Sequence, residues 1–212
     1  MQWDGLVLTD SGGFQIFSLP DQRQITEQGA LFRSFHDNSR QLLSPEISIS
    51  MQQNIGSDIM MVLDVCIDST TDEVGTREAM ERTHRWAVRS LSARDAVPTG
   101  QALFGIVQGG IFPALRQESA KFLTELPFEG FAVGGLAVGE GREIRNEICE
   151  LSTRLLPENK PRYLMGVGTP NDLLDCVRRG VDMFDCILPT KMAQQGYAYT
   201  FQGLLRTTRS VF

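Results

Sequence analysis

The 212-residue chain is short of the features that commit a protein to a membrane, an oxidised compartment or a metal cluster. No apolar run approaches the roughly 18 residues of a membrane span. The opening "MQWDGLVLTD" has neither the basic n-region nor the small-residue cleavage site of a secretory signal. The expectation is a cytoplasmic protein with no membrane partner. Four cysteines, Cys66, Cys149, Cys176 and Cys186, are scattered without C-x-x-C spacing. They give neither a zinc nor a disulfide framework, so reduced thiols are expected. Histidine occurs only at His36, in a turn, and at His84, on a helix, which leaves no Ser-His-Asp logic. No phosphate-cradling G-x-x-x-x-G-K-S/T appears. The net charge of −6 excludes a surface coated in basic charge but leaves room for a local basic patch.

What is present is ordinary globular material, 42% hydrophobic and 22% charged, enough for one sizeable core. Short apolar runs alternate with amphipathic helices, the pattern of a parallel α/β sheet. The strands are expected at 6–9, 59–63, 103–107, 130–133, 162–165 and 182–184. "SPEIS" sets Ser44 as an N-cap with Pro45 at the first helical position. "TPNDLLDCVRRG" repeats this with Thr169 and Pro170, and Gly180 is the expected stop. Thr83, Trp86, Ala87, Ser90 and Leu91 share one helical face, and Ile144, Ile148, Leu151 and Leu155 another. "ALFRSFHDNSRQLL" alternates around a His-Asp-Asn-Ser turn and reads as an antiparallel hairpin inserted after the first strand.

Each apolar run delivers a polar side chain or a glycine just past its C-terminal end. Asp10 follows the first and Asp64 the second. Gln108-Gly109-Gly110 follows the third, Gly134-Gly135-Leu136 the fourth, Gly166 the fifth and Asp185 the last. In a parallel barrel those ends converge on one face, where active sites are built. A complete barrel needs eight strands and about 250 residues. Six are countable here, so the expected fold is a single, incomplete TIM-type (β/α)8 barrel over residues 1–212, its other strands lying upstream.

Carboxylates at strand ends suit glycosyl chemistry, in which one attacks the anomeric carbon and another handles leaving-group protons. Glycines at 109, 110, 134 and 135 let backbone groups approach a flat polar ring. A carboxylate beside an amide suits a purine edge, and Phe14 and Met165 could sandwich such a ring.

"TDSGGFQIFSL", "GIVQGG", "FAVGGLAVGE", "PRYLMGVGTP" and "RGVDMFDCILPT" together resemble the bacterial tRNA-guanine transglycosylase (queuine tRNA-ribosyltransferase) family, from about Leu6 to Gly203. The resemblance implies an irregular TIM barrel acting in queuosine biosynthesis. Guanine at the tRNA anticodon wobble position would be replaced by a 7-deazaguanine, preQ1 in bacterial members. It implies Asp185 as nucleophile at C1′ of the ribose and Asp10 as general acid/base. Asp64, Gln108 and the Gly135 N–H would read the pyrimidine edge of the base. The Leu136 carbonyl would accept from the aminomethyl group, with Glu140 behind that peptide, and Phe14 and Met165 would stack on the rings. A homodimer is also implied.

Three departures qualify this expectation. The family's Asp-Glu-Cys-Thr-Pro is "DVCIDST" here, so Val65 replaces an acid beside Asp64. "PTKMAQQG" puts Lys191 and Gln194 where two family arginines contact the anticodon loop. The family's C-terminal zinc subdomain, with three Cys and one His, has no counterpart before Phe212, so no metal is expected in this chain. Two other readings stay open. One is a non-catalytic RNA-binding or subunit-like homologue, or an inactive fragment; the pair Asp10 and Asp185 argues against it. The other is an unrelated barrel glycosidase or aldolase, which predicts neither "GGLAVGE" nor "QGG".

Overall fold

A computed structural model describes residues 2–18, 23–34 and 36–207. The chain opens with β1 (Leu8–Thr9) and the short helix α1 (Gly13–Phe17), then β2 (Gln24–Ile25), β3 (Ala30–Arg33) and β4 (Arg40–Leu43). Next come α2 (Pro45–Ile55), β5 (Ile59–Met61), α3 (Glu73–Ala96), β6 (Ala102–Val107) and α4 (Pro113–Thr124). They are followed by β7 (Gly130–Val133), α5 (Arg142–Leu155), β8 (Arg162–Leu164), α6 (Pro170–Val177) and β9 (Met183–Phe184). Helix α7 (Leu188–Gln194) and the hairpin β10 (Tyr197–Thr200) and β11 (Gly203–Arg206) complete the described chain.

Strands β1-β5-β6-β7-β8-β9 form one six-stranded sheet in strict sequence order, every pair parallel. With helices in the crossovers, this is the arrangement of an incomplete TIM-type barrel. The expected hairpin is present as β3 and β4, and β2 pairs with β3 to make a three-stranded antiparallel sheet. Its turn closes where Asp37 Oδ1 accepts from the Ser39 N–H at 3.1 Å and from the Ser39 hydroxyl at 2.8 Å.

The capping signals act as their chemistry requires. Ser44 Oγ accepts from the Ile47 N–H, and Thr169 Oγ1 from that of Asp172. Gly180 acts as the stop of α6: at φ +88° its N–H donates to Val177 O at 3.0 Å, and the Val181 N–H donates to Cys176 O at 3.1 Å. Helix α3 buries Thr83, Trp86, Ala87, Ser90 and Leu91, as their spacing predicts. Helix α5 departs from its predicted stripe. Ile148 is buried, yet Ile144 and Leu155 are exposed, and the inward face carries Asn146, Cys149, Ser152 and Thr153 instead. Small and polar groups occupy that face because it meets α6 and the turn that follows it: Cys176 Sγ on α6 lies 3.9 Å from Asn146 Oδ1, and Thr153 Oγ1 donates to the Arg179 carbonyl at 2.5 Å.

The core fills the layer between sheet and helices, with Met60, Leu103, Ile106, Phe131, Val133 and Leu164 fully buried. A smaller cluster of Leu63, Val65, Ala79 and Trp86 packs against Ile25 and Leu43 of the antiparallel sheet.

Strand β1 is too short to pair with Met61, and α2 supplies the missing partner. The Gln52 amide donates to the Met61 carbonyl and accepts from the Met61 N–H, both at 2.9 Å, and Gln52 Oε1 also accepts from Thr9 Oγ1. Gln52→Ala should cost roughly 1–3 kcal/mol for each backbone group left unpaired, read by urea denaturation. A loss within experimental error would show that water replaces the amide.

Candidate active site

Asp10, Asp64, Gln108, Gly135, Gly166 and Asp185 all lie just beyond the C-terminal ends of β1, β5, β6, β7, β8 and β9. Parallel pairing therefore carries them to the same end of the sheet.

At the centre, Gln108 Nε2 donates to Asp64 Oδ2 at 2.7 Å, with both side chains buried. Burial pushes the Asp64 carboxyl up to about 7, helped by the nearby charge of Asp10 and opposed by the bonds from Gln108 and the Ser11 hydroxyl. The backbone around both residues is tied to helices. Thr83 Oγ1 accepts from the Val65 N–H at 3.0 Å, and Ser119 Oγ from the Gln108 N–H at 3.1 Å. His84 Nε2 lies 2.9 Å from the same Ser119 hydroxyl, and burial holds its imidazole down at about 4, so it stays neutral near pH 7. Glycine is required on either side of this pair. A Cβ on Gly13 would lie 2.4 Å from Asp64 Oδ1, and one on Gly135, at φ +63°, would lie 2.3 Å from Gln108 Oε1.

At the two margins stand the other carboxylates. The Ser11 N–H donates to Asp10 Oδ1 at 2.8 Å. Burial raises the Asp10 carboxyl above its usual range, against hydrogen bonds from Ser11 and Gln15, and the charge of Asp185 adds to the rise. Asp185 keeps solvent access, and its Oδ1 accepts from both the Tyr163 hydroxyl at 2.6 Å and the Gly166 N–H at 2.7 Å. The Tyr163 phenol is pushed well above its usual value, by burial first and then by Asp185. It remains a donor at neutral pH.

Glu140 accepts from the Ala137 N–H and, at 3.0 Å, from the Val138 N–H. A trans peptide directs its C=O opposite its N–H, so the Leu136 carbonyl points away from Glu140. Phe14 sits on α1 with its ring half exposed, and Met165 packs partly against the core just past β8. Lys191 and Gln194 are exposed on α7, the helix that follows Asp185. Val65, where the family has an acid, turns into the small apolar cluster beside Trp86 and leaves Asp64 in place.

Sequence reasoning missed Tyr163. The signal was available: in a strand, residues two apart share a face, so Tyr163 belongs with Met165. The register Tyr163↔Met183 then carries it toward Asp185. Among the described residues no three His, Cys, Asp or Glu side chains gather to hold a metal ion, and the four cysteines are free.

Asp64 makes stability depend on pH. Between its unfolded value of 3.8 and about 7, the folded chain retains a proton that the unfolded chain has released. Stability therefore falls as pH rises through that window and levels off above it. Asp64→Asn should flatten this slope and raise the thermal midpoint at pH 8, checked by melting curves from pH 4 to pH 8. An unchanged slope would assign the titration elsewhere.

The model of the family described as queuine tRNA-ribosyltransferase matches residues 1–212. Proteins bearing that name are similar over the whole chain. That of Thioalkalivibrio sulfidiphilus is 50% identical over 212 residues, and that of Natranaerobius thermophilus 52%. That of Streptococcus pneumoniae is likewise 52% identical. The chain covers 57%, 57% and 56% of these relatives, so it spans a little over half of their length. With a parallel sheet of six strands delivering the expected residues to one end, and a family match along its entire length, the chain belongs to the queuine tRNA-ribosyltransferase family.

Proposed function

We propose that this chain carries the active site of a tRNA-guanine transglycosylase, which replaces guanine at the anticodon wobble position with a 7-deazaguanine such as preQ1. The observation that carries the reading is the asymmetry of Asp185. Two donors converge on Oδ1, and no described residue donates to Oδ2. An oxygen held by two hydrogen bonds fixes the carboxylate plane, while its twin keeps its lone pairs for attack.

In this mechanism Asp185 Oδ2 forms a bond to C1′ as the C1′–N9 bond to guanine breaks. Asp10, its carboxyl raised by burial, delivers the proton that the departing base takes up. Asp10 then accepts the N9 proton of the incoming base, whose nitrogen attacks C1′ and releases the Asp185 carboxylate. Two displacements leave the configuration at C1′ unchanged. Asp64 and Gln108 meet the donors and the carbonyl of the base's pyrimidine edge. The Leu136 carbonyl, turned away from Glu140, is free to accept from a 7-aminomethyl substituent. Phe14 and Met165 supply apolar contact to the ring faces. Lys191 and Gln194 face the RNA, with one cationic charge where the family has two.

Radiolabelled guanine exchange into tRNA by the full-length protein tests the reading. Asp185→Ala should abolish both exchange and the denaturation-resistant RNA–protein adduct, and Tyr163→Phe should slow exchange about ten-fold, the cost of one hydrogen bond to a charged group. Undiminished exchange in Asp185→Ala would defeat the mechanism. The double variant Lys191→Arg, Gln194→Arg should bind the anticodon stem-loop more tightly, by about 1–3 kcal/mol for each restored contact. Equal binding by gel shift would remove these positions from the RNA interface.

A further inference from the structure

Arg116 on α4 is fully buried, and each of its four hydrogen bonds goes to a backbone carbonyl. Nε donates to Gly110 O at 2.8 Å, Nη1 to Val107 O at 2.9 Å and Gly134 O at 2.8 Å, and Nη2 to Gly135 O at 3.4 Å. These carbonyls belong to the two segments that leave β6 and β7, on either side of Gln108. Burying a guanidinium is expensive. It interrupts the inward face of α4, which otherwise carries Ser119, Ala120 and Leu123.

The direction of those carbonyls also fixes the opposite side of the same peptides. The described chain contains no cis peptide bond. Drawing Gly134 O and Gly135 O toward Arg116 therefore turns the Gly135 and Leu136 N–H groups away from it. Neither N–H has an acceptor among the described residues. A cation on the carbonyl side also polarises both peptides, which strengthens the N–H groups as donors.

We propose that Arg116 is a positioning residue for base recognition: by holding four carbonyls of the 107–110 and 134–135 segments, it presents the Gly135 and Leu136 N–H groups as a paired donor site for a purine carbonyl oxygen. Arg116 touches neither base nor ribose. It acts through the peptides, beside a carboxylate–amide pair that reads the rest of the edge. Glu140 holds the next peptide in the reverse sense, so the loop alternates donor, donor, acceptor along 135–137.

The proposal rests on the transglycosylase reading, and the experiment separates the two. Steady-state exchange by the full-length protein gives a KM for guanine and a KM for tRNA. Arg116→Lys, which cannot span four carbonyls, should raise the guanine KM about ten-fold or more, the cost of a weakened hydrogen bond, while the tRNA KM changes less than about two-fold. An unchanged guanine KM, or parallel loss in both constants, would overturn it. Amide exchange on the unmutated protein reads the same claim with the native fold intact. The Gly135 and Leu136 amides should exchange readily in the free protein and become protected at saturating guanine. Protection already present without base would overturn the proposal. Absence of any guanine exchange by the unmutated protein would instead reject the transglycosylase reading.

Discussion

The hydrogen bond between Gln108 Nε2 and Asp64 Oδ2 sets the terms for the rest of the site. Two buried polar side chains meeting at 2.7 Å occupy space that neighbouring side chains would otherwise fill. That is why Gly13 stands after β1 and Gly135 after β7, since a methyl group at either would overlap Asp64 or Gln108. The glycine motifs that identify the family thus reflect volume as much as backbone freedom. Helices α3 and α4 complete the arrangement by accepting the N–H groups of Val65 and Gln108 on Thr83 and Ser119. The pair is braced by hydroxyls that carry no charge and by an imidazole that stays neutral near pH 7, so the neighbouring charge that bears on Asp64 is that of Asp10.

Much of this was legible because each strand of a parallel sheet announces itself twice, by an apolar run and by the polar group or glycine at its C-terminal end. The six strands fall where those runs predict, and Asp10, Asp64, Gln108 and Asp185 stand at their ends. Contacts that depend on register or crossing distance were not legible. Tyr163 reaches Asp185 only because β8 and β9 align Tyr163 with Met183. The stripe expected on α5 failed because spacing counts apolar residues, whereas contact with α6 and the turn that follows it selects small and polar ones. Arg116 looked like any helical arginine until its place on a buried face was known. The hairpin of β10 and β11 was passed over because it packs little apolar surface: β11 is exposed along its length.

The chain's departures from family pattern divide by location. Val65 exchanges a family acid for an aliphatic group, and the exchange is absorbed by the cluster around Leu63, Ala79 and Trp86. Its backbone N–H is still bound by Thr83, so Asp64 keeps its place. Lys191 and Gln194 have no such cushion. They are exposed on α7, where a change of charge is felt by whatever approaches that face.

The sheet's strict order, β1-β5-β6-β7-β8-β9, also sets the order of the candidate groups across the site. Asp64, Gln108 and Gly135 hang from β5, β6 and β7, whose neighbours flank them on both sides. Asp10 and Asp185 hang from the outermost strands, each two residues long and, within the described chain, paired along one side only. In the proposed exchange, the groups that would meet the base therefore stand on the middle strands of the sheet, and the two carboxylates that would meet the ribose stand on either side of them.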